Sequence, residues 1–398
     1  MRREEAQLVE PIELAPIRGQ VLSWTAINSG TANLEGLKTM ASALADAFAA
    51  LPGEVTLEAP AEVDTVTAEG KLAPVAHGRH LVLRVRPEAK RRVLLTGHMD
   101  TVYAADHPFQ ASEWLDDTRL RGPGAADMKG GIALMLAGLR AFEDSLPTLG
   151  YDVMINSDEE TGSASSAALI RDLAQGKIAA LTYEPALPGG IMARARPGSG
   201  NFAAVVAGRA AHAGRNPEDG RNAVVAAADL ALRLAQARHP ALSVNPAKID
   251  GGGPNNIVPA HAVLRFNLRP HGPEQAAEAQ ALIERLVVAI ADEHDVAIHL
   301  HGQFGRPPKP ITPEAERLFA LVSDAASDLG ETLQWQDTGG VCDGNNIAAC
   351  GVPVLDTMGA RGDFIHSPQE YLDVGSLVPR AKLTALVLHR IEKGGAYP

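Results

Sequence analysis

Apolar and polar positions change period repeatedly along the first half of the chain. Leu37 to Leu51 is Ala-rich with apolar residues at helical spacing. "HLVLRV" (80–85) and "RVLLTG" (92–97) are short apolar runs that read as strands, separated by the charged turn "RPEAKR". "DMKGGIALMLAGLRAFED" (127–144) carries an apolar helical face, and "YDVMINS" (151–157) reads as a further strand. "SASSAALIRDLAQ" follows as a helix, and "AALTYEP" as a strand ending at Pro185. Strands alternating with helices predict an α/β domain with a mostly parallel sheet sandwiched by helices. In open sheets of this kind, ligands collect beyond the carboxyl ends of the strands.

The pattern changes near "RARPGSGN" (194–201). From there it reads strand (Asn201–Arg209), helix (Gly220–Arg238), strand (Val244–Asp250), strand (His261–Arg269), helix (Glu274–His294) and strand (Val296–His301). That βαββαβ order is a ferredoxin-like unit. The Pro-rich "GRPPKPITP" (305–313) reads as a linker. A helix (Glu314–Leu329), the strand "VPVLDTM" and a last helix (Val374–Glu392) complete the chain. The expectation is a discontinuous domain, 1–196 plus 308–398, interrupted by an inserted lid-like domain, 197–307.

A length of 398 residues agrees with two domains rather than one core. The formal charge of −12 argues against nucleic acid or an anionic membrane as the main partner. Cys342 and Cys350 form no CxxC pair, so a reducing compartment is expected rather than a disulfide framework. The N-terminus lacks the apolar run of a signal peptide. No apolar run reaches the roughly 18 residues of a membrane helix. A cytoplasmic protein is the expectation.

Chemistry concentrates at the strand ends. "NSDEETGS" (156–163) places Asp158, Glu159 and Glu160 side by side after an apolar strand, where three like charges repel. The strand "VLLTG" runs into His98-Met99-Asp100, and residues two apart on a strand end point the same way. An isolated His-x-Asp is more often a loop histidine beside a solvated aspartate. Asp127 lies in the Gly-rich "GPGAADMKGG" before a helix, where a carboxylate can simply be a cap. Glu184 ends the next strand, and His366 sits in "GDFIHSPQEY". Carboxylates gathered at one sheet edge need a counter-charge. Two divalent ions sharing a carboxylate would supply it, and the His and carboxylate set suits zinc. One of the two adjacent glutamates can then ligate while the other faces the activated water. GxSxG and HExxH are both absent, which sets aside two other hydrolase patterns.

Taken in order, "LLTGHMDTV", "GPGAADMKGG", "NSDEETGS", "TYEP" and "HSPQEY" resemble the co-catalytic-zinc peptidases and amidohydrolases. That family includes glutamate carboxypeptidase (carboxypeptidase G), acetylornithine deacetylase, succinyl-diaminopimelate desuccinylase and the aminoacylases. "GRAAHAGRNPEDGRNA", "NNIVPA", "RFNLRP" and "TGGVCDGNN" make the glutamate carboxypeptidase branch the nearest likeness. The resemblance implies two Zn2+ per subunit, with Co2+ or Mn2+ as substitutes, bridged by Asp127. One ion would take His98 and Glu184, the other Glu160 and His366. Asp100 would orient His98, and Glu159 would be the general base. A non-proline cis peptide is implied after Asp127.

His212, reaching over from the partner of a homodimer, would meet the oxyanion. Asn256 and Arg269 would grip a substrate carboxylate, and Gly339 and Gly340 would let backbone approach closely. Arg194, Arg196 and Arg306 fall near positions where the resemblance implies cationic substrate contacts. Cys342-Asp343 replaces the more familiar Thr-Asp after the glycine pair, and Cys342 reads as a packing residue. The expected reaction is hydrolysis of an amide or peptide bond beside a free carboxylate, in an anionic N-acyl-amino acid or peptide. An aminopeptidase or dipeptidase of the same family, and a non-catalytic dimeric binding protein on the same fold, are the alternatives. Hinges are expected near Pro197 and Arg306–Pro310.

Overall fold

The protein is described from a computed structural model, in which residues 1–394 are described. Six strands build the central sheet in the order Glu54–Glu58, His80–Val85, Gly150–Asn156, Arg92–His98, Ala179–Thr182 and Val354–Leu355. The last four run parallel, while the first two join antiparallel. The sheet is mostly parallel, as expected, with the two antiparallel joins at one side, and its parallel part carries the candidate ligands. Gly150–Asn156 is buried at every position, as a strand covered on both faces must be. On one face Leu83, Leu95 and Val153 pack with residues such as Leu139 and Leu388 from the helices Gly130–Asp144 and Leu377–Glu392. On the other, Val82, Leu94 and Met154 pack against Ile170 and Ile347.

The helix expected from Asp127 begins only at Gly130, behind an irregular turn. Asp127 has extended backbone torsions, its peptide bond to Met128 is cis, and it caps nothing. The strand expected over Val296–His301 continues to Arg306, because it pairs with Ser199–Ala207 through a register shift. The linker therefore starts at Pro307 rather than Gly305. The helices Arg3–Val9 and Leu14–Thr25, and the hairpin Val63–Val66 with Leu72–Val75, are additions to the sequence reading.

Four antiparallel strands, Leu242–Gly251, His261–Pro270, Ser199–Ala207 and Ala297–Arg306 in sheet order, form the inserted βαββαβ unit. Its helices Ala223–Gln236 and Pro273–His294 cover one face, packing Leu230 and Ile283 with Phe202, Leu264 and Phe266 of the strands. The hairpin meets the other face. Val66 packs with Val205 and Val263, and Arg265 donates to the Val66 carbonyl at 2.7 Å.

Two crossing segments join the inserted unit to the rest, and they pair with each other. Arg196 and Lys309 exchange backbone hydrogen bonds of 3.1 and 2.9 Å. Both side chains reach buried Asp356, at 2.5 and 2.8 Å. Asn345 donates to the carbonyls of Pro197 and Pro307, each at 2.8 Å.

Candidate metal centre

Parallel strands with aligned registers deliver their last residues to one edge. His98 ends Arg92–His98, Glu159 and Glu160 sit on a short turn after Gly150–Asn156, and Glu184 follows Ala179–Thr182. The turn before Gly130 presents Asp127 to them, and the segment after Gly362–Asp363 presents His366. His366 and Phe364 adopt the left-handed region, at φ 62° and 56°, which costs a non-glycine residue energy and occurs preferentially at functional sites.

Two three-donor groups result, sharing Asp127. His98 Nε2 lies 3.1 Å from Asp127 Oδ1 and 3.8 Å from Glu184 Oε2. His366 Nε2 lies 3.2 Å from Asp127 Oδ2 and 3.2 Å from Glu160 Oε2. Within each group the ligand atoms are all within 4.8 Å of one another. His98 is buried, whereas the His366 side chain is 53% exposed, so the second position opens to solvent.

Electrostatics tests whether cations fit. Burial, then the Asp127 charge, lifts Glu160 to about 8. Burial likewise raises Glu184. Asp127 is pushed up by burial too, but His366 and His98 outweigh that and hold it well below the usual range. Burial opposes protonation of His98, yet Asp100, Asp127 and Glu184 raise it well above an ordinary imidazole. Asp127 and Glu160 push His366 up to about 11. Crowded carboxylates thus draw protons onto the imidazoles, the response expected of a site built for positive charge. A pair of divalent ions would replace those protons, so the donor set fits the metals.

Each acid of the run Asp158, Glu159 and Glu160 has its own partners. Asp158 accepts from Ser165 N–H at 2.7 Å and from the hydroxyls of Ser165 and Ser166 at 2.8 and 2.6 Å. Glu160 faces His366. Glu159 Oε1 sits 2.6 Å from Arg306 Nη2, outside both donor groups. Burial lifts Glu159 to about 7 even against the pull of Arg306.

Asp100 meets His98 chiefly through its backbone. His98 Nδ1 meets the Asp100 backbone carbonyl at 2.9 Å, while the nearer carboxylate oxygen is 3.5 Å away. The carboxylate instead accepts from the Thr31 hydroxyl at 2.7 Å and from the backbone N–H groups of Glu159 and Glu160 at 3.2 Å each. It holds the glutamate turn, and its carbonyl holds the ring.

Of the expected substrate contacts, Arg269 donates to the Gly339 carbonyl at 2.8 Å, and Arg196 to Gly340 at 3.2 Å. His212 and Asn256 neighbour each other, with Ala213 N–H on the Asn256 carbonyl at 2.9 Å. His212 Nδ1 accepts from Gly214 N–H at 3.1 Å. Among the described residues neither forms a hydrogen bond or ion pair with the metal-ligand side chains. Arg196 and Arg306, expected near an anionic substrate, are matched internally by Asp356 and by Glu159 and Asp343. Arg194 lies 3.9 Å from Glu316. Cys342 is buried, which pushes its thiol well up.

Sequence reasoning missed Glu370, whose buried carboxylate accepts four hydrogen bonds beneath the Asp127 turn. Burial and the Asp127 charge lift it to about 7, against those donors. Its place in "HSPQEY", four residues after His366, was the only signal.

The profile of peptidase family M20/M25/M40 matches residues 94–390. Carboxypeptidase G2 of Pseudomonas sp. (strain RS-16) is 31% identical over 340 residues, 83% of this chain and 81% of that protein. A succinyl-diaminopimelate desuccinylase of Pseudoalteromonas atlantica is 28% identical over 319 residues, 74% of this chain and 82% of that protein. The structure of an M20 family metallo-carboxypeptidase from Sulfolobus solfataricus superimposes with a TM-score of 0.72 at 15% identity, covering 94% of this chain and 98% of that one.

Proposed function

Because the chain belongs to peptidase family M20/M25/M40 and is a hydrolase of C–N bonds, we propose that it cleaves an amide or peptide bond beside a free carboxylate. It would act as a two-metal carboxypeptidase or N-acyl-amino-acid amidohydrolase. The observation that carries this reading is the divided carboxylate of Asp127, one oxygen toward His98 and the other toward His366. His98, Asp127 and Glu184 would hold one ion, and Asp127, Glu160 and His366 the other. Zinc suits these donors, with cobalt or manganese as substitutes. When bound, the pair supplies the charge that acidifies a water and polarises the scissile carbonyl.

The remaining steps belong to the chain. Glu159 accepts the proton of the attacking water and returns it to the departing amine. Arg306 keeps the carboxylate in place from one side, and Asp100 holds its backbone from the other. Arg269 and Asn256 bind the substrate carboxylate, for which a guanidinium offers a two-pronged donor. A carboxypeptidase and a desuccinylase among the relatives accord with such a substrate. Gly339 and Gly340 leave room for its backbone, and His212 of a partner subunit meets the oxyanion. Residues 197–307 serve as lid and dimer contact.

Hydrolysis of a panel of N-acyl and peptidyl amino acids, varied first on the carboxylate side, tests the reading. Activity should stop with a chelator and return with zinc. Glu159→Ala should keep its metal and lose roughly 10²- to 10⁴-fold in kcat; undiminished turnover refutes the assigned base. Mixing inactive His212→Ala and Glu159→Ala proteins should restore about a quarter of the activity through mixed dimers. No recovery in demonstrated mixed dimers removes the trans role of His212.

A further inference from the structure

We propose that Glu370 is a positioning residue of the metal centre, holding the Gly124–Asp127 turn in the one shape that lets Asp127 face both imidazoles. The inference rests on the two-metal reading above. Glu370 Oε1 accepts from the N–H groups of Ala126 at 2.9 Å and Asp127 at 3.1 Å. Oε2 accepts from Gly124 N–H at 3.1 Å and from the Tyr103 hydroxyl at 2.8 Å. The Tyr103 oxygen is also 2.8 Å from the Ser367 carbonyl, so its single proton serves one of the two at a time.

Four donors therefore converge on one side chain that is 1% exposed. Only a carboxylate supplies about four acceptor positions, and its charge is met by backbone dipoles and a phenol. Its place in the chain gives it reach. Tyr103 follows Asp100 by three residues, the turn carries Asp127, and Glu370 itself lies four residues beyond His366. One carboxylate thus ties together the three segments that present His98, Asp127 and His366. Hydrogen bonds to Ala126 and Asp127 N–H fix the backbone from which the shared aspartate projects.

Glutamine keeps the shape but not the chemistry. It offers one oxygen, and its NH2 would face N–H groups whichever way the amide turned. Glu370→Gln should therefore unseat the turn, while Glu370→Asp, which keeps the charge, should recover part of the loss. Zinc affinity is read on full-length apo protein by competition with a chromophoric chelator, with far-UV circular dichroism reporting the fold. The expected result is a folded Glu370→Gln protein whose zinc affinity falls about 10- to 100-fold, as for other partners of metal ligands, with Glu370→Asp between it and wild type. Folded Glu370→Gln protein with wild-type zinc affinity overturns the inference. Should that variant fail to fold, Tyr103→Phe decides, because it removes one donor only. A several-fold weaker zinc affinity supports the proposal, and an unchanged one overturns it. A wild-type protein that binds no divalent ion sinks the two-metal reading first. One that binds two but hydrolyses no amide sinks the proposed reaction and leaves the role of Glu370 standing.

Discussion

Asp127 is the residue on which both proposed metal positions depend, since among the described residues it alone belongs to both donor groups. Asp127→Asn should lose both ions on dialysis, whereas Glu184→Gln should lose chiefly the one beside His98. Counting metal per chain by atomic absorption separates the two results. Asp100 offers a subtler case, because its carboxylate faces the N–H groups of Glu159 and Glu160. Asp100→Asn turns an amide donor toward one of them, and kcat/KM should fall about 10- to 100-fold; initial rates on the best substrate of the panel check this. The candidate ligands were legible because each stands at the end of a recognisable apolar strand or in a motif of its own. The contacts of Asp100 and Glu370 were not legible, because most of their partners are backbone groups. Those of Glu370 in the Asp127 turn lie more than 240 positions away in sequence.

Among the elements, long periodic runs were readable to within a few residues, as with Pro273–His294 and Arg92–His98. Several strands of two or three residues, such as Glu113–Trp114 and Tyr371–Asp373, were not. They exist only through pairing with remote segments, and so short a run has no period. Leu14–Thr25 was obscured for a different reason, since Pro16 and Gly19 interrupt an otherwise helical stretch. The inserted unit carries its own core, with Phe266 2% exposed among Phe202, Leu264 and Ile283. We expect residues 197–307 to unfold as a unit. Phe266→Ala should destabilise that unit by about 3–5 kcal/mol and split the thermal transition in two. A calorimetric trace that stays single and shifts as a whole would show that the insert and the main sheet unfold together.

Across the whole molecule, the two crossing segments join the insert to the domain that carries the candidate ligands, and Asp356 holds both. Burial pushes its pKa up, but Lys309 and Arg196 more than offset that and keep it below the ordinary value of 3.8. The folded value therefore lies below the unfolded one. Its stabilisation is complete above about pH 4 and fades as pH falls through the folded value. Asp356→Asn, which strands two buried cations, should cost about 3–5 kcal/mol at neutral pH. Urea unfolding of both proteins from pH 7 down to pH 3 should show that difference constant at first and shrinking below pH 4. Periodicity, strand-end acids and ordered motifs were enough to reveal the α/β plan, the inserted βαββαβ unit and the candidate ligands, since each is a local pattern that survives in one dimension. Tertiary structure alone settled that the sheet is mixed, that Arg306 answers Glu159, and that Asp158, Glu159 and Glu160 face three different partners. Those outcomes depend on which distant groups the folded chain brings within hydrogen-bonding reach, and no stretch of sequence records that distance.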